Sequence, residues 1–253
     1  MKLTVLGSGT TIPHARRTSS AYWLETSGGS ILLDCSSSAA SRMASAGLDW
    51  PNLDMIWISH FHLDHVGGLA PLLAGTKHAG EMQGRTKPLR IVGPAGLGKL
   101  IGRLSDVNNY GLLEQPFPVD VVEVEPLERF EAVGIEAVAM KTPHTAESLA
   151  LHVRDGEKTF VYTADTAFDE TLPAFATLVD LLLIECSFVR NKPAEKHLEL
   201  AEAMHIVRKA RPRCVVITHL YPEWDRVNFP DEISRFESTS KIIQAHDGLV
   251  VEA

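Results

Sequence analysis

The chain has 253 residues, 45% of them hydrophobic, with 24 Lys and Arg against 32 Asp and Glu for a formal charge of −8. That length suits one large α/β domain or two small ones and is enough to bury a substantial core. The acidic balance excludes a general phosphate-backbone binder, whose affinity comes from neutralising many phosphates, so no strong nucleic-acid binding is expected.

In chain order, residues 2–6 read as a short buried strand running into the polar loop Gly7-Ser8-Gly9-Thr10. Residues 22–25 and 31–34 flank Ser27-Gly28-Gly29 as a hairpin. The Ala-rich stretch 39–46 reads as a helix stopped by Gly47. Residues 54–59 form a strand that delivers a His-rich loop, and residues 69–75 form the helix after it. Residues 77–87 are polar and aperiodic and read as an exposed loop. Residues 89–92, 119–124, 135–142, 148–153, 159–163 and 179–184 read as strands. Residues 195–210 read as a helix, with Leu200, Ala203, Met204 and Val207 on one face. Residues 214–218 form a buried strand that ends at His219, residues 231–236 a short helix, and residues 241–244 and 248–251 the closing strands. No short repeat and no Gly-, Pro- or Ser-rich linker appears, so residues 1–253 read as a single domain of two packed sheets with helices outside.

Cys35, Cys186 and Cys214 lie in apolar contexts, which fits buried thiols in a reduced compartment and no disulfide framework. Residues 1–7 lack the pattern of a signal peptide, and no apolar run reaches the roughly 18 residues that cross a bilayer. The expected location is the cytoplasm, with no membrane attachment.

The chemistry is concentrated in Ser59-His60-Phe61-His62-Leu63-Asp64-His65. Imidazole and carboxylate are the donors that suit zinc and its neighbours, and such a cluster is costly to bury without a cation. The alternative, a solvated polar loop, fits poorly between an apolar strand and Val66-Gly67-Gly68-Leu69. His60 and His62, two apart, can face one ion. Asp64 and His65, where the chain turns toward helix, can face a second. Further ligands are sought at the ends of later strands. His144, Asp165 and His219 each follow an apolar strand directly. Taken singly each is more often a structural residue, but the cluster tips the balance to ligation.

The series His-x-His-x-Asp-His followed by His, Asp and His resembles the metallo-β-lactamase superfamily. The opening Leu3-Thr4-Val5-Leu6-Gly7-Ser8-Gly9, the hairpin, Asp34 and Tyr162-Thr163-Ala164-Asp165-Thr166 resemble its ribonuclease Z branch. The resemblance implies a four-layer αββα sandwich and two metal ions, expected to be zinc, with manganese or iron as alternatives. His60, His62 and His144 would hold the first ion, Asp64, His65 and His219 the second, and Asp165 would bridge them. A hydroxide between the ions would be the nucleophile, and Asp64 could orient it. His197, by the same resemblance, would contact the substrate phosphate and assist the leaving group; the plainer reading is a solvated His beside Lys196. The branch is often dimeric, so a homodimer is an expectation of the resemblance as well.

The chain also departs from that branch. Transfer-RNA-processing members carry a long arm between the equivalents of His144 and Asp165, and here a strand pair fills that space. Cys35-Ser36-Ser37-Ser38 replaces their Gly-Glu-Gly-Thr pattern. The expected function is therefore a two-metal phosphodiesterase for a small phosphodiester or short nucleotide. A lactone or thioester hydrolase and a transfer-RNA 3′-processing endonuclease are the alternatives. Lactonase-like members place Tyr where Phe168 stands, and di-iron relatives place Glu where His62 stands, so both are disfavoured. His14, with Arg16 and Arg17, could approach the mouth of the site, and Lys77, Arg85, Lys87 and Arg90 form a basic region that solvation explains, with phosphate steering as the alternative.

Overall fold

Side-chain alternation divides the core strands between two apolar layers, and this sets the architecture of the computed structural model, which describes residues 1–253. The strands are β1 (Lys2–Gly7), β2 (Ala21–Glu25), β3 (Ser30–Leu33), β4 (Met55–Trp57), β5 (Leu89–Pro94), β6 (Val119–Val124), β7 (Arg129–Ala132), β8 (Ile135–Lys141), β9 (Leu149–Asp155), β10 (Lys158–Tyr162), β11 (Leu181–Glu185), β12 (Cys214–Thr218), β13 (Lys241–Gln244) and β14 (Val250–Glu252). The helices are α1 (Ala39–Ser45), α2 (Leu63–Val66), α3 (Leu69–His78), α4 (Leu97–Asp106), α5 (Leu172–Phe175), α6 (Leu200–Ala210) and α7 (Phe229–Ile233).

Two seven-stranded sheets result, ordered β14-β1-β2-β3-β4-β5-β6 and β13-β12-β11-β10-β9-β8-β7. In each, an antiparallel portion continues into parallel strands, β3 to β6 in the first and β10 to β13 in the second. Parallel neighbours need crossover connections, and α1, α3, α4, α5, α6 and α7 supply them. Ile31, Leu33, Met55, Trp57, Leu181 and Leu183 pack between the sheets. The alternate residues Leu32, Ile56 and Ile58 pack under α1, α3 and α4. Leu182 and Ile184 pack under α5 and α6. Three apolar layers between two sheets and two helical coats make the αββα sandwich.

Several expectations shift. The helix expected at 195–210 begins only at Leu200, because Glu199 caps it in a reciprocal pair with Glu202. The loop expected at 77–87 is not an exposed loop throughout. Helix α3 runs to His78, a short turn of helix follows at Gly80–Met82, and Arg85 is buried. Its guanidinium donates to the carbonyls of Pro51, Leu53, Lys87 and Pro88. Lys77 pairs with Glu114 and Lys87 with Asp54. These cations hold the chain together and leave little free charge for steering phosphate. Three elements had no counterpart in the sequence reading, α4, α5 and the edge strand β7. In α4, Gly98 and Gly102 interrupt an apolar face of Leu97, Leu100, Ile101 and Leu104.

The C-terminal ends of β3, β4, β10, β11 and β12 open on one edge of the sandwich, the usual place for a site in an open parallel sheet. Three non-glycine residues at these ends have left-handed backbone: Asp34 (φ 57°), Ala164 (φ 53°) and His219 (φ 57°). Such conformations cost about 1–3 kcal/mol and persist where the surroundings enforce them. No helix is long and apolar enough to cross a membrane.

Candidate metal centre

The loop after β4 carries His60, His62, Asp64 and His65, and it is held against the loop after β3. The Cys35 amide donates to the His65 carbonyl at 2.6 Å and the Gly68 amide to the Cys35 carbonyl at 2.8 Å. Gly68 permits that approach, since a Cβ there would lie 2.0 Å from the Ser36 carbonyl oxygen. From the second sheet, His144 arrives after β8, Asp165 after β10 and His219 after β12.

All seven side chains named from the sequence meet. Donor atoms of His60, His62, His144 and Asp165 lie within 4.8 Å of one another, and so do those of Asp64, His65 and His219. Asp165 Oδ2 stands among four imidazoles. It is 3.2 Å from His65 Nε2, 3.3 Å from His219 Nε2, 3.7 Å from His144 Nε2 and 3.8 Å from His60 Nε2.

Outer hydrogen bonds set which nitrogen of each ring faces inward. His60 Nδ1 meets Ser59 Oγ at 3.0 Å, His65 Nδ1 meets Asp34 Oδ2 at 2.6 Å, His144 Nδ1 meets the Lys196 carbonyl at 2.9 Å, and His219 Nδ1 meets Ser20 Oγ at 2.9 Å. In each case Nε2 is left for the centre, the arrangement that orients histidine ligands. His62 instead points Nδ1 at His144 Nε2, 3.0 Å away.

The donor set fits divalent cations. His60 Nε2 and His65 Nε2 are buried and have no hydrogen-bond partner, Asp165 Oδ2 lying 3.2 Å from His65 Nε2 as a charge contact. Orphaned polar atoms of this kind are rare and costly. Burial, reinforced by His65, pushes His60 well below the usual histidine range, and burial lowers His219 too. Both therefore present neutral imidazole, the ligating form. Asp165 is buried, which opposes its ionisation, yet His219 and His65 hold it well below the usual carboxylate range. His65 is likewise buried, but Asp165 and Asp34 draw it well above its ordinary value. The field that favours a proton on His65 favours a cation in the same place.

The sequence reading gave no role to several supports. Asp34 is fully buried and its Oδ2 accepts from Tyr162 Oη (2.6 Å) and Ser59 Oγ (2.8 Å) as well as His65. Its Oδ1 accepts from the Ser59 amide at 2.7 Å. Asp34→Asn turns one acceptor into a donor facing donors, so metal affinity is expected to fall about 10–100-fold. Competition with a chromophoric chelator measures it, and unchanged affinity removes Asp34 from the role of orienting His65.

Glu185 is the other omission. It is 1% exposed and accepts from the amides of Thr166, Ser187 and Leu198, from Ser187 Oγ, and from His197 Nδ1 at 2.9 Å. Its signal was available: a single carboxylate ending the wholly apolar run Leu181-Leu182-Leu183-Ile184 needs buried partners. His197 precedes α6 by three residues and stacks on His219 with ring centroids 5.4 Å apart. One of its donor atoms lies within 4.8 Å of those of Asp165 and His219.

The remaining histidines lie apart from the cluster. His14, with Arg16 and Arg17, binds Asp225. His152 packs on Phe175, His205 on Phe168, His246 bonds the Asp247 carbonyl, and His78 ends α3.

The chain is similar to several known proteins. A family profile described as anti-Pycsar protein Apyc1 matches residues 1–242. The probable metallo-hydrolase YhfI of Bacillus subtilis (strain 168) is 27% identical over 222 residues, 87% of this chain and 87% of that protein. Ribonuclease Z of Mycobacterium sp. (strain KMS) is 26% identical over 243 residues, 88% of this chain and 85% of that one. The crystal structure of the metallo-beta-lactamase fold protein YhfI superposes with a TM-score of 0.79 at 25% identity, covering 100% of this chain and 99% of the other. Human tRNase Z, short form, superposes at 0.77 with 20% identity, covering 100% and 99%, a likeness of fold.

Proposed function

The chain belongs to the anti-Pycsar protein Apyc1 family and is a metal-dependent hydrolase of the metallo-β-lactamase fold, and from that premise we propose a phosphodiesterase that uses two zinc ions on a small phosphodiester or short nucleotide. The observation that carries this reading is Asp165 Oδ2 standing between two groups of donors, with His60, His62 and His144 on one side and Asp64, His65 and His219 on the other. One carboxylate shared by two such groups is what a pair of ions would need. Manganese or iron would suit the same nitrogen and oxygen donors. Residues 1–253 act as one unit in this reading, because both sheets supply the site.

Bound divalent ions supply Lewis acidity and lower the pKa of water from about 15.7 to near 7. The chain's own groups do the rest. Asp64, its side chain 10% exposed, faces the open side and orients the attacking water by accepting its hydrogen. His197 presents Nε2 to the leaving oxygen while Glu185 holds Nδ1–H, so a proton passes from Nε2 as the P–O bond breaks. The hairpin of β9 and β10 is the only secondary structure between His144 and Asp165. With the charge of −8, this supports a small substrate over a long nucleic acid.

Chelated protein reloaded with zinc or manganese is expected to recover hydrolysis of bis-p-nitrophenyl phosphate in proportion to bound metal. Full metal loading without turnover, beside turnover of lactones or thioesters, would replace the phosphodiesterase reading with an acyl-hydrolase one.

A further inference from the structure

Between β11 and α6 the chain runs from Cys186 to Glu199 without a helix or strand. The neck of this loop is closed by the Phe188 amide on the Leu198 carbonyl (3.1 Å) and the Leu200 amide on the Phe188 carbonyl (2.9 Å). Near its end stand the Lys196 carbonyl, which meets His144, and the ring of His197. Three consecutive carbonyls there have partners. That of Lys196 accepts from His144 Nδ1 and that of Leu198 from the Phe188 amide. That of His197, between them, accepts from Lys192 Nζ at 3.0 Å. The same ammonium donates to both oxygens of Glu202, at 2.7 and 2.8 Å. An ammonium has three N–H donors, and here each has an acceptor. The Lys192 side chain is only 20% exposed, so its surroundings cover most of it. Glu202 is fixed in turn, since its Oε2 accepts from the Glu199 amide at 3.0 Å in the cap of α6.

We propose that Lys192 is a positioning residue for the reaction: it ties the His197 carbonyl to the start of α6 and so sets where the His197 ring stands. The inference rests on the phosphodiesterase reading, in which His197 gives a proton to the leaving oxygen. A brace that served α6 alone would stop at Glu202, whose cap is already complete with Glu199. The third bond, to His197, carries the brace to the site. Without it the carbonyls of Lys196 and Leu198 stay fixed, and the peptide between them is free to turn. Glu185 then holds only the His197 Nδ1 and the Leu198 amide. Proton transfer needs its partners within hydrogen-bond reach, and a misplacement of about 1 Å can cost about 10²-fold. Charge-assisted bonds are roughly twice as strong as neutral ones. The charge of Lys192 therefore matters more than its stem, and arginine can keep what methionine loses.

The test compares zinc-loaded wild type, Lys192→Met and Lys192→Arg on two diesters, methyl p-nitrophenyl phosphate and methyl phenyl phosphate. Nitrophenolate departs without a proton, whereas phenolate, a far stronger base, gains from one. Lys192→Met is expected to lose tenfold or more in kcat on the phenyl ester and to change little on the nitrophenyl ester, with Lys192→Arg restoring most of the loss. A readout independent of turnover is the His197 Nδ1–H resonance, slowed in exchange by Glu185 and identified by its absence in His197→Ala. It should persist in Lys192→Arg and broaden or vanish in Lys192→Met. Equal losses on both esters, no loss on either, or an unchanged His197 resonance in Lys192→Met overturn the positioning role and leave the phosphodiesterase in place. A wild type that cleaves only the nitrophenyl ester denies His197 its proton transfer, and the role of Lys192 with it. A fully loaded wild type that hydrolyses neither ester removes the phosphodiesterase reading itself.

Discussion

Asp165→Ala protein, loaded with zinc and assayed beside the parent, is expected to hold fewer ions per chain and to lose about 10³-fold or more in kcat, as several kcal/mol of lost charge stabilisation implies. The reason is local. One oxygen lies 3.2–3.8 Å from four imidazole nitrogens. Without it, His60, His65, His144 and His219 face one another with no anion among them. Metal content by elemental analysis and circular dichroism separate a lost centre from a lost fold. A variant that keeps the full complement of metal and near-parental rate would overturn the proposed sharing of Asp165 by two ions.

The second large effect is expected at His197. Replacing it by alanine removes the group proposed to protonate the leaving oxygen, a contribution of about 10²–10⁴-fold in kcat. The loss should be large for alkyl leaving groups and small for p-nitrophenolate, which departs without a proton. A purely structural His197 would lower both equally. The pH dependence carries the sign. Burial disfavours protonation of His197, but the Glu185 hydrogen bond and charge prevail and hold it above the ordinary histidine value. The acid form therefore survives to higher pH, and the rate falls as pH rises through that elevated value. Glu185→Gln keeps a hydrogen-bond acceptor and loses the charge, so the fall should move to lower pH. A profile with the same alkaline limb in both proteins counts against the couple.

The candidate series was legible as a cluster because its members are chemically out of place. His60, His144, Asp165 and His219 each end an apolar strand, where a polar side chain must find partners. The strands were legible for the same reason, as short apolar runs between turns. What escaped the sequence depends on pairing across the fold. Asp34 and Tyr162 are 128 residues apart, yet hydrogen-bonded. Ser20 reaches His219 over 199. No local spacing encodes such contacts. The start of α6 was misjudged because Glu195-Lys196-His197-Leu198 has helical composition, while the capping pair of Glu199 and Glu202 decides where the helix begins. Arg85 was misjudged because its charge suggested solvent, whereas four backbone carbonyls needed its donors.

The origin of the candidate ligands has a mechanical consequence. His60, His62, Asp64 and His65 hang from the first sheet, and His144, Asp165 and His219 from the second. A cation gripped from both sides would be a clasp across the seam of the sandwich. At about 1,000 times its dissociation constant, each ion bound only by the folded chain adds roughly 4 kcal/mol to the free energy of unfolding. Resistance to heat and catalytic competence would then rise and decline together as the clasp is filled or emptied.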